Sequence, residues 1–325
     1  MDGLGTLYGS AGIDTLPAVL MGSHTDVMVG DWLDGALGFA YALEAARVLR
    51  QGGAGDFAAW SLVDWSDGSD EDGRFGTLTA SSAFAASGTL PFSQELWKAR
   101  RAHGLAGVPV MHASGRHGGW AGYLEAHVER GPRLERAGAD LGVASSIVGV
   151  RQLRLGCVGE QSDAGSTPMA ERRDATLEAM RLTAALDEQL RALCAAWEEG
   201  GCGAAWSFVE LQGFVPASTV SGAANLTLQL RAPQEPLLEA MHRLVAAAVA
   251  AAAASAVARG AASCAVHASA RAPVAATQTD AGLAECFRAA ATATVGAERV
   301  LELPYSALRG AAPLAQVWPL FSLPS

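Results

Sequence analysis

The sequence predicts an α/β protein with a smaller α+β module inserted into it, and three observations carry that prediction. An apolar run, Leu16-Pro17-Ala18-Val19-Leu20-Met21, has the unbroken hydrophobicity of a strand covered on both faces of a parallel sheet. A helix-period segment and a second strand follow it, the order that builds parallel α/β architecture. From about Gly149 the order becomes β-α-β-β-α-β, a ferredoxin-like split unit. The main domain is expected at residues 1–148 and 272–325, with the module at 149–271 between its two parts.

Asp34-Gly35 opens the first helix, whose apolar residues recur at helical spacing through Leu49 until Gly52-Gly53 ends it. Phe57 to Trp65 is the next strand. Gly122 to Pro132 alternates as a strand does and stops at Gly131-Pro132. In the module, Val150 to Val158 alternates, with Arg151, Leu153 and Leu155 set against Gln152 and Arg154. A helix from Arg172 to about Trp197 follows, then strands near Ala204–Leu211 and Ala224–Arg231, an alanine-rich helix and a strand at Ser263–Ser269. The remainder returns to a helix, Ala281 to about Thr294, and a strand-like Ala315–Leu323. The alanine-rich stretch, Leu244 to Ala258, is short for a membrane span and is bracketed by Arg243 and Arg259, so it is read as a core helix.

At 325 residues the chain is long enough for two domains with substantial cores. Its net charge of −10, without a basic run, excludes a phosphate backbone as a natural partner, so no nucleic acid is expected. The five cysteines form no C-x-x-C pair, which predicts neither a structural zinc nor a disulfide framework and points to a reducing compartment. Met1-Asp2-Gly3-Leu4-Gly5 lacks the regions of a signal peptide, so a soluble, intracellular protein with no membrane partner is expected.

His24 and Asp26 stand just past the first strand, and Asp34 opens the helix after it. Sites in open α/β sheets are built at the carboxyl ends of strands, and an imidazole with a carboxylate there offers two ligands to a divalent metal. The same residues read equally as a capped loop histidine and a helix N-cap. After the second strand comes an acidic loop, Asp67 to Phe75, either a solvated turn or a contributor to the same edge. The alternation at 122–132 puts Tyr123, Glu125, His127 and Glu129 on one face. Burying such a face is costly unless its groups are paired, so His127 either faces a metal or lies on an exposed edge strand. His103, His112 and His117 have no ligand spacing around them.

Four stretches together carry a family resemblance. They are Gly22-Ser23-His24-Thr25-Asp26 with Asp34-Gly35-Ala36-Leu37-Gly38; Asp70-Glu71-Asp72-Gly73-Arg74-Phe75; Tyr123-Leu124-Glu125-Ala126-His127-Val128-Glu129-Arg130-Gly131-Pro132; and Gly165-Ser166-Thr167-Pro168-Met169 with Arg173-Asp174-Ala175. In this order they resemble the N-carbamoyl-L-amino-acid hydrolase and allantoate amidohydrolase branch of the dinuclear metallopeptidase superfamily. The strand with Tyr-Leu-Glu-x-His-x-Glu-x-Gly-Pro is specific to that branch and counts against an ordinary peptidase. The resemblance implies a zinc-peptidase-like catalytic domain with a mixed, mostly parallel sheet, and an inserted lid and dimerisation domain. It also implies two divalent ions, manganese or zinc, and attack of metal-activated water on a linear C–N compound such as an N-carbamoyl amino acid or a ureido acid. By motif, His24 and His127 would hold one metal, Asp34 would bridge, Glu71 would bind the other, and Asp26 would orient His24. Asp70 falls where the family has its general base, and Arg231 where it has a lid arginine that clamps the substrate carboxylate.

The departures fall on the substrate side and at the ends. The family's lid histidine, which steadies the developing oxyanion, is Asp163 here, and an anion there repels that charge. The substrate-contacting glutamine is Arg130 and the lid asparagine is Ser218. The Ser-Gly-Ala-Gly-His-Asp-Ala motif reads Ser306-Ala307-Leu308-Arg309-Gly310-Ala311-Ala312, and Phe321-Ser322-Leu323-Pro324-Ser325 stands where the family continues to a last metal-binding histidine. The last part of the catalytic domain is therefore read as truncated. Three accounts are expected to compete: an amidohydrolase of reduced turnover, an inactive homologue serving as a dimerising binding subunit, and a fragment of a longer protein.

Overall fold

The computed structural model describes residues 1–11, 17–26, 33–52, 59–66, 78–86, 93–115, 119–129, 131–197, 202–213, 216–267 and 273–305. Met1–Ile147 with Gln278–Ser325 form one compact unit, and Val148–Thr277 form a second.

In the first unit β1 (Leu7–Ala11), β2 (Ala18–Ser23), β3 (Ala59–Asp64) and β4 (Trp120–Leu124) make a sheet in the order β1-β3-β2-β4. β2 runs parallel to both β3 and β4, while β1 is antiparallel to β3, so the sheet is mixed and mostly parallel. The alternation of β2 divides its side chains between two layers. Met21, with Trp60 of β3, packs against Ala42 and Ala46 of helix α1 (Asp34–Gln51). Ala18 and Leu20, with Val63 and Trp65, pack on the other side with Phe84 of helix α2 (Thr79–Ala85) and Trp120. Edge-on and tilted contacts among Tyr8, Trp65, Phe84, Trp120 and Tyr123 fill that layer. Helix α3 (Gln94–Ala102) is capped by Ser93, whose side chain accepts the Leu96 N–H. Past β4 come helix α4 (Arg133–Ala137), β5 (Leu141–Ala144) and the short β6 (Ser146–Ile147).

The second unit contains β7 (Gly149–Val158), β8 (Ser162–Asp163), α5 (Ala175–Ala195), β9 (Ala205–Gln212), β10 (Thr219–Val220), β11 (Ala223–Ala232), α6 (Glu235–Arg259) and β12 (Ser263–His267). Its main sheet has the antiparallel order β12-β7-β11-β9. Leu226, Leu228 and Leu230 of β11 alternate inward, as period-2 patterning requires, against Leu182, Leu186 and Leu190 of α5 and Met241, Val245 and Val249 of α6. Asp174 caps α5 by accepting the Thr176 and Leu177 N–H groups. Among the described residues α6 is the helix long and apolar enough to cross a membrane by length and composition; here its apolar stripe enters this core. After β13 (Thr277–Gln278) the chain closes the first unit with α7 (Ala281–Val295) and β14 (Val300–Leu303), which pairs in parallel with β5.

Two expectations are corrected. The strand expected at 122–132 ends at Leu124, and Glu125 to Glu129 leave the ladder. The cysteines expected to be unpaired form two disulfides, Cys157–Cys264 and Cys194–Cys202, leaving Cys286 free and exposed. Cys157 and Cys264 are 107 residues apart, and only the antiparallel register of β7 with β12 sets them opposite each other. The strand expected at 315–323 lies outside the described residues.

Candidate metal centre

His24 directly follows β2, His127 lies shortly beyond β4, and Asp34 is the first residue of α1. Because β2 and β4 are parallel neighbours, their carboxyl ends share one edge of the sheet. Two glycines let α1 press against that edge. A Cβ on Gly35 would overlap the His24 ring and carbonyl, and one on Gly38 would overlap the Ala126 carbonyl. The N-cap of α1 is Leu33, so Asp34 is not the cap that one reading of the sequence expects. Its carboxylate lies in the first turn, where the helix dipole favours an anion, and its Oδ1 stands 3.4 Å from His127 Nε2.

Donor atoms of His24, Asp34 and His127 all lie within 4.8 Å of one another, and the two imidazole centroids are 5.7 Å apart. Backbone carbonyls fix both tautomers. His24 Nδ1 is 2.9 Å from the Asp26 carbonyl oxygen, and His127 Nδ1 is 3.1 Å from that of Val128. A carbonyl only accepts, so each Nδ1 carries a hydrogen, and the nitrogen left to offer a lone pair to a ligand, whenever the ring is neutral, is Nε2. Burial lowers the His24 pKa, but the hydrogen bonds to Asp26 and the charges of Glu125 and Asp26 outweigh it, and the imidazole rises to about 9. Two imidazole nitrogens and one carboxylate oxygen, all largely buried, suit a borderline divalent ion such as zinc and admit manganese.

Polar groups to which the sequence assigns no individual role surround these three. Ser23 Oγ donates to Glu125 Oε1 at 2.8 Å, Tyr123 OH donates to Glu125 Oε2 at 3.1 Å, and Trp65 Nε1 donates to Tyr123 OH at 3.0 Å. Asp64, at the end of β3, accepts the Thr25 hydroxyl at 2.8 Å, and burial raises its pKa. Glu129, expected on the same face as His127, instead accepts the Arg133 and Leu134 N–H groups at the start of α4. The sequence signal for these roles is the Ser-His and Tyr-x-Glu-x-His spacing, which reads as strand alternation at 122–132 and as part of the family resemblance, without a role for Ser23, Tyr123 or Glu125.

Asp26 meets His24 Nδ1 twice, through its backbone carbonyl oxygen at 2.9 Å and its carboxylate Oδ1 at 3.4 Å. Asp70, Glu71 and Arg130 lie outside the described residues, as does Ser306 to Ala312. Asp163, Ser218 and Arg231 belong to the second unit. Exposed Asp163 accepts the Gly165 and Ser166 N–H groups and the Ser166 hydroxyl on one oxygen, and these bonds lower its pKa. Asp163 stands opposite Thr219 in the β8–β10 ladder, and one residue on the Ser218 carbonyl accepts the Ala164 N–H. Arg231 lies on β11, its Nε donating to Gln229 Oε1 at 2.7 Å.

No family model matches the chain. An N-carbamoyl-L-amino-acid amidohydrolase of Paenarthrobacter aurescens is 30 % identical over 250 residues, taking in 74 % of this chain and 59 % of the relative. A probable allantoate deiminase of Oryza sativa subsp. japonica is 30 % identical over 275 residues, 74 % of this chain and 54 % of the relative. The chain thus spans a little over half the length of these curated relatives. The crystal structure of a hydantoinase/carbamoylase family amidase from Burkholderia phymatum superposes with a TM-score of 0.77 at 29 % identity, covering 97 % of this chain and 76 % of that one. By sequence and by its mixed α/β fold, the chain is a homologue of the N-carbamoyl-L-amino-acid amidohydrolases and allantoate amidohydrolases, with hydantoinase/carbamoylase family amidases as its structural neighbours.

Proposed function

We propose that the chain is a metal-dependent amidohydrolase of the carbamoylase/allantoate amidohydrolase type, hydrolysing linear C–N bonds of N-carbamoyl or ureido compounds. The observation that carries this reading is the meeting of His24, Asp34 and His127, with both imidazoles tautomerically set to offer Nε2. A divalent ion there would polarise a carbonyl and lower the pKa of water. The two Nε2 atoms and the Asp34 carboxylate would hold such an ion, and the Asp26 and Val128 carbonyls would keep the rings turned to it. Glu71 is the proposed ligand of a second ion. Asp70 is proposed to take the proton of the attacking water and return it to the leaving nitrogen. Arg231 is proposed to bind a substrate carboxylate, with Arg130, Ser218 and Asp163 beside the substrate.

In this reading the first unit is the catalytic domain and the second a ferredoxin-like lid through which a homodimer forms. The β-α-β-β-α-β order and the position of β9 at the end of its sheet support that assignment. A soluble, intracellular setting belongs to the same reading. Asp163 favours a second one, an inactive homologue acting as a dimerising binding subunit, because an acceptor-only carboxylate cannot donate to an oxyanion.

Turnover of N-carbamoyl amino acids, allantoate and ureidoglycolate with added manganese or zinc separates the two. Hydrolysis abolished by His127→Ala supports the amidohydrolase. Absence of turnover, with capture of an intact homologous partner, supports the binding subunit.

A further inference from the structure

Glu125 lies between β4 and His127, outside the residues so far given a role toward metal or substrate. Its carboxylate accepts two hydroxyl protons, from Ser23 at 2.8 Å and from Tyr123 at 3.1 Å. The direction of this chain is fixed from its far end. Indole N–H only donates, so the Tyr123 oxygen accepts from Trp65 Nε1 and sends its own proton to Glu125. An anionic acceptor of two hydroxyls makes charge-assisted bonds, which are shorter and stronger than neutral ones.

What the carboxylate joins gives it meaning. Ser23 ends β2 and immediately precedes His24, whereas Tyr123 and Glu125 lie on the segment that carries His127. Trp65 directly follows β3, and its backbone N–H also donates to the Ser23 carbonyl at 2.9 Å. Ser23 is fully buried and Trp65 nearly so, so the bonds work in a low-dielectric setting where an unmatched partner is costly. Glu125 thereby ties the end of β2 to the segment after β4, and the Tyr123 hydroxyl carries the link on to the end of β3.

We propose that Glu125 is a positioning residue, a strut that fixes the separation of His24 and His127 and hence the shape of the divalent-metal site. This rests on the metal reading given above. Glutamine is the informative replacement, because it keeps the shape but offers one accepting oxygen where two hydroxyls donate.

The test uses the full chain, freed of metal with a chelator and titrated with Zn²⁺ against a chromogenic chelator. Wild type is expected to bind, and Glu125→Gln to bind about 10–100-fold more weakly, the usual cost of removing a group that orients ligands. Ser23→Ala and Tyr123→Phe each weaken binding less, and neither adds its full cost to Glu125→Gln, since all act through one network. A purely structural role would lower the metal-free melting temperature and leave the site geometry alone. Positioning instead shifts the visible absorption bands of bound Co²⁺ in Glu125→Gln.

Zn²⁺ affinity and Co²⁺ bands indistinguishable from wild type in Glu125→Gln overturn the proposal. Should that variant fail to fold, full affinity in both hydroxyl variants overturns it equally. A wild type that takes up no Zn²⁺ overturns the metal reading itself, a result distinct from wild type and Glu125→Gln binding alike.

Discussion

At the scale of single residues, the centre is set by which nitrogen of each imidazole carries its hydrogen. The Asp26 and Val128 carbonyls decide this for His24 and His127, and neither carbonyl is legible as a partner from residue types alone. His24 and Asp34 were legible as candidates because the apolar run marks a strand end and Asp34-Gly35 a helix start, and His127 because of the alternation and motif at 122–132. Replacing His127 by alanine removes a proposed ligand, so divalent-metal affinity is expected to fall by more than the roughly 10–100-fold that outer partners cost; competition titration checks it. The protonation of His24 gives a pH signature. Its folded pKa of about 9 lies above the ordinary value near 6.5, so its contribution to metal-free stability is fully present below about pH 6.5 and is lost as pH rises through about 9. A bound cation competes for the same imidazole. Metal-induced stabilisation in thermal melts is therefore expected to grow between pH 6.5 and 9, and a gain that shrinks over that interval contradicts this account of His24.

Among elements, the approach of α1 to the carboxyl ends of β2 and β4 makes the site. Gly35 has no space for a side chain against His24, so Gly35→Ala is expected to cost about 1–3 kcal/mol by overpacking and to weaken metal binding at the same time. Denaturant melts and zinc titration of that variant measure both. In the second unit Leu228 is fully buried at the centre of the sheet, and Leu228→Ala is expected to cost about 2–5 kcal/mol while leaving zinc affinity unchanged, since it touches none of the site. Strand and helix order in this unit was readable because its leucines alternate cleanly on β11 and recur every four residues on α5. The 122–132 stretch was misread for a physical reason. Its alternation persists in sequence after the ladder stops, because Glu125, His127 and Glu129 turn to hydroxyls, a carboxylate and a helix start rather than to one sheet face.

For the molecule as a whole, what sequence spacing could not reach is contact between distant segments. The pairing of Cys157 with Cys264 depends on a register established across the intervening α5, β9, β11 and α6, so counting cysteines in the sequence missed it. Thiol titration of the unreduced, denatured chain is expected to find one free thiol, that of Cys286, and five after reduction; five without reductant would contradict the pairing. The same dependence on long-range contact governs the centre, where β2, α1 and the segment after β4 contribute one group each. Metal content of the chain after equilibration with Zn²⁺ and removal of free ion, set beside a His24→Ala/His127→Ala variant, is the most direct test of the central claim. At least one ion per chain in the wild type and none in the variant is the expected result; a wild type without metal, or a variant that retains as much as the wild type, would contradict it.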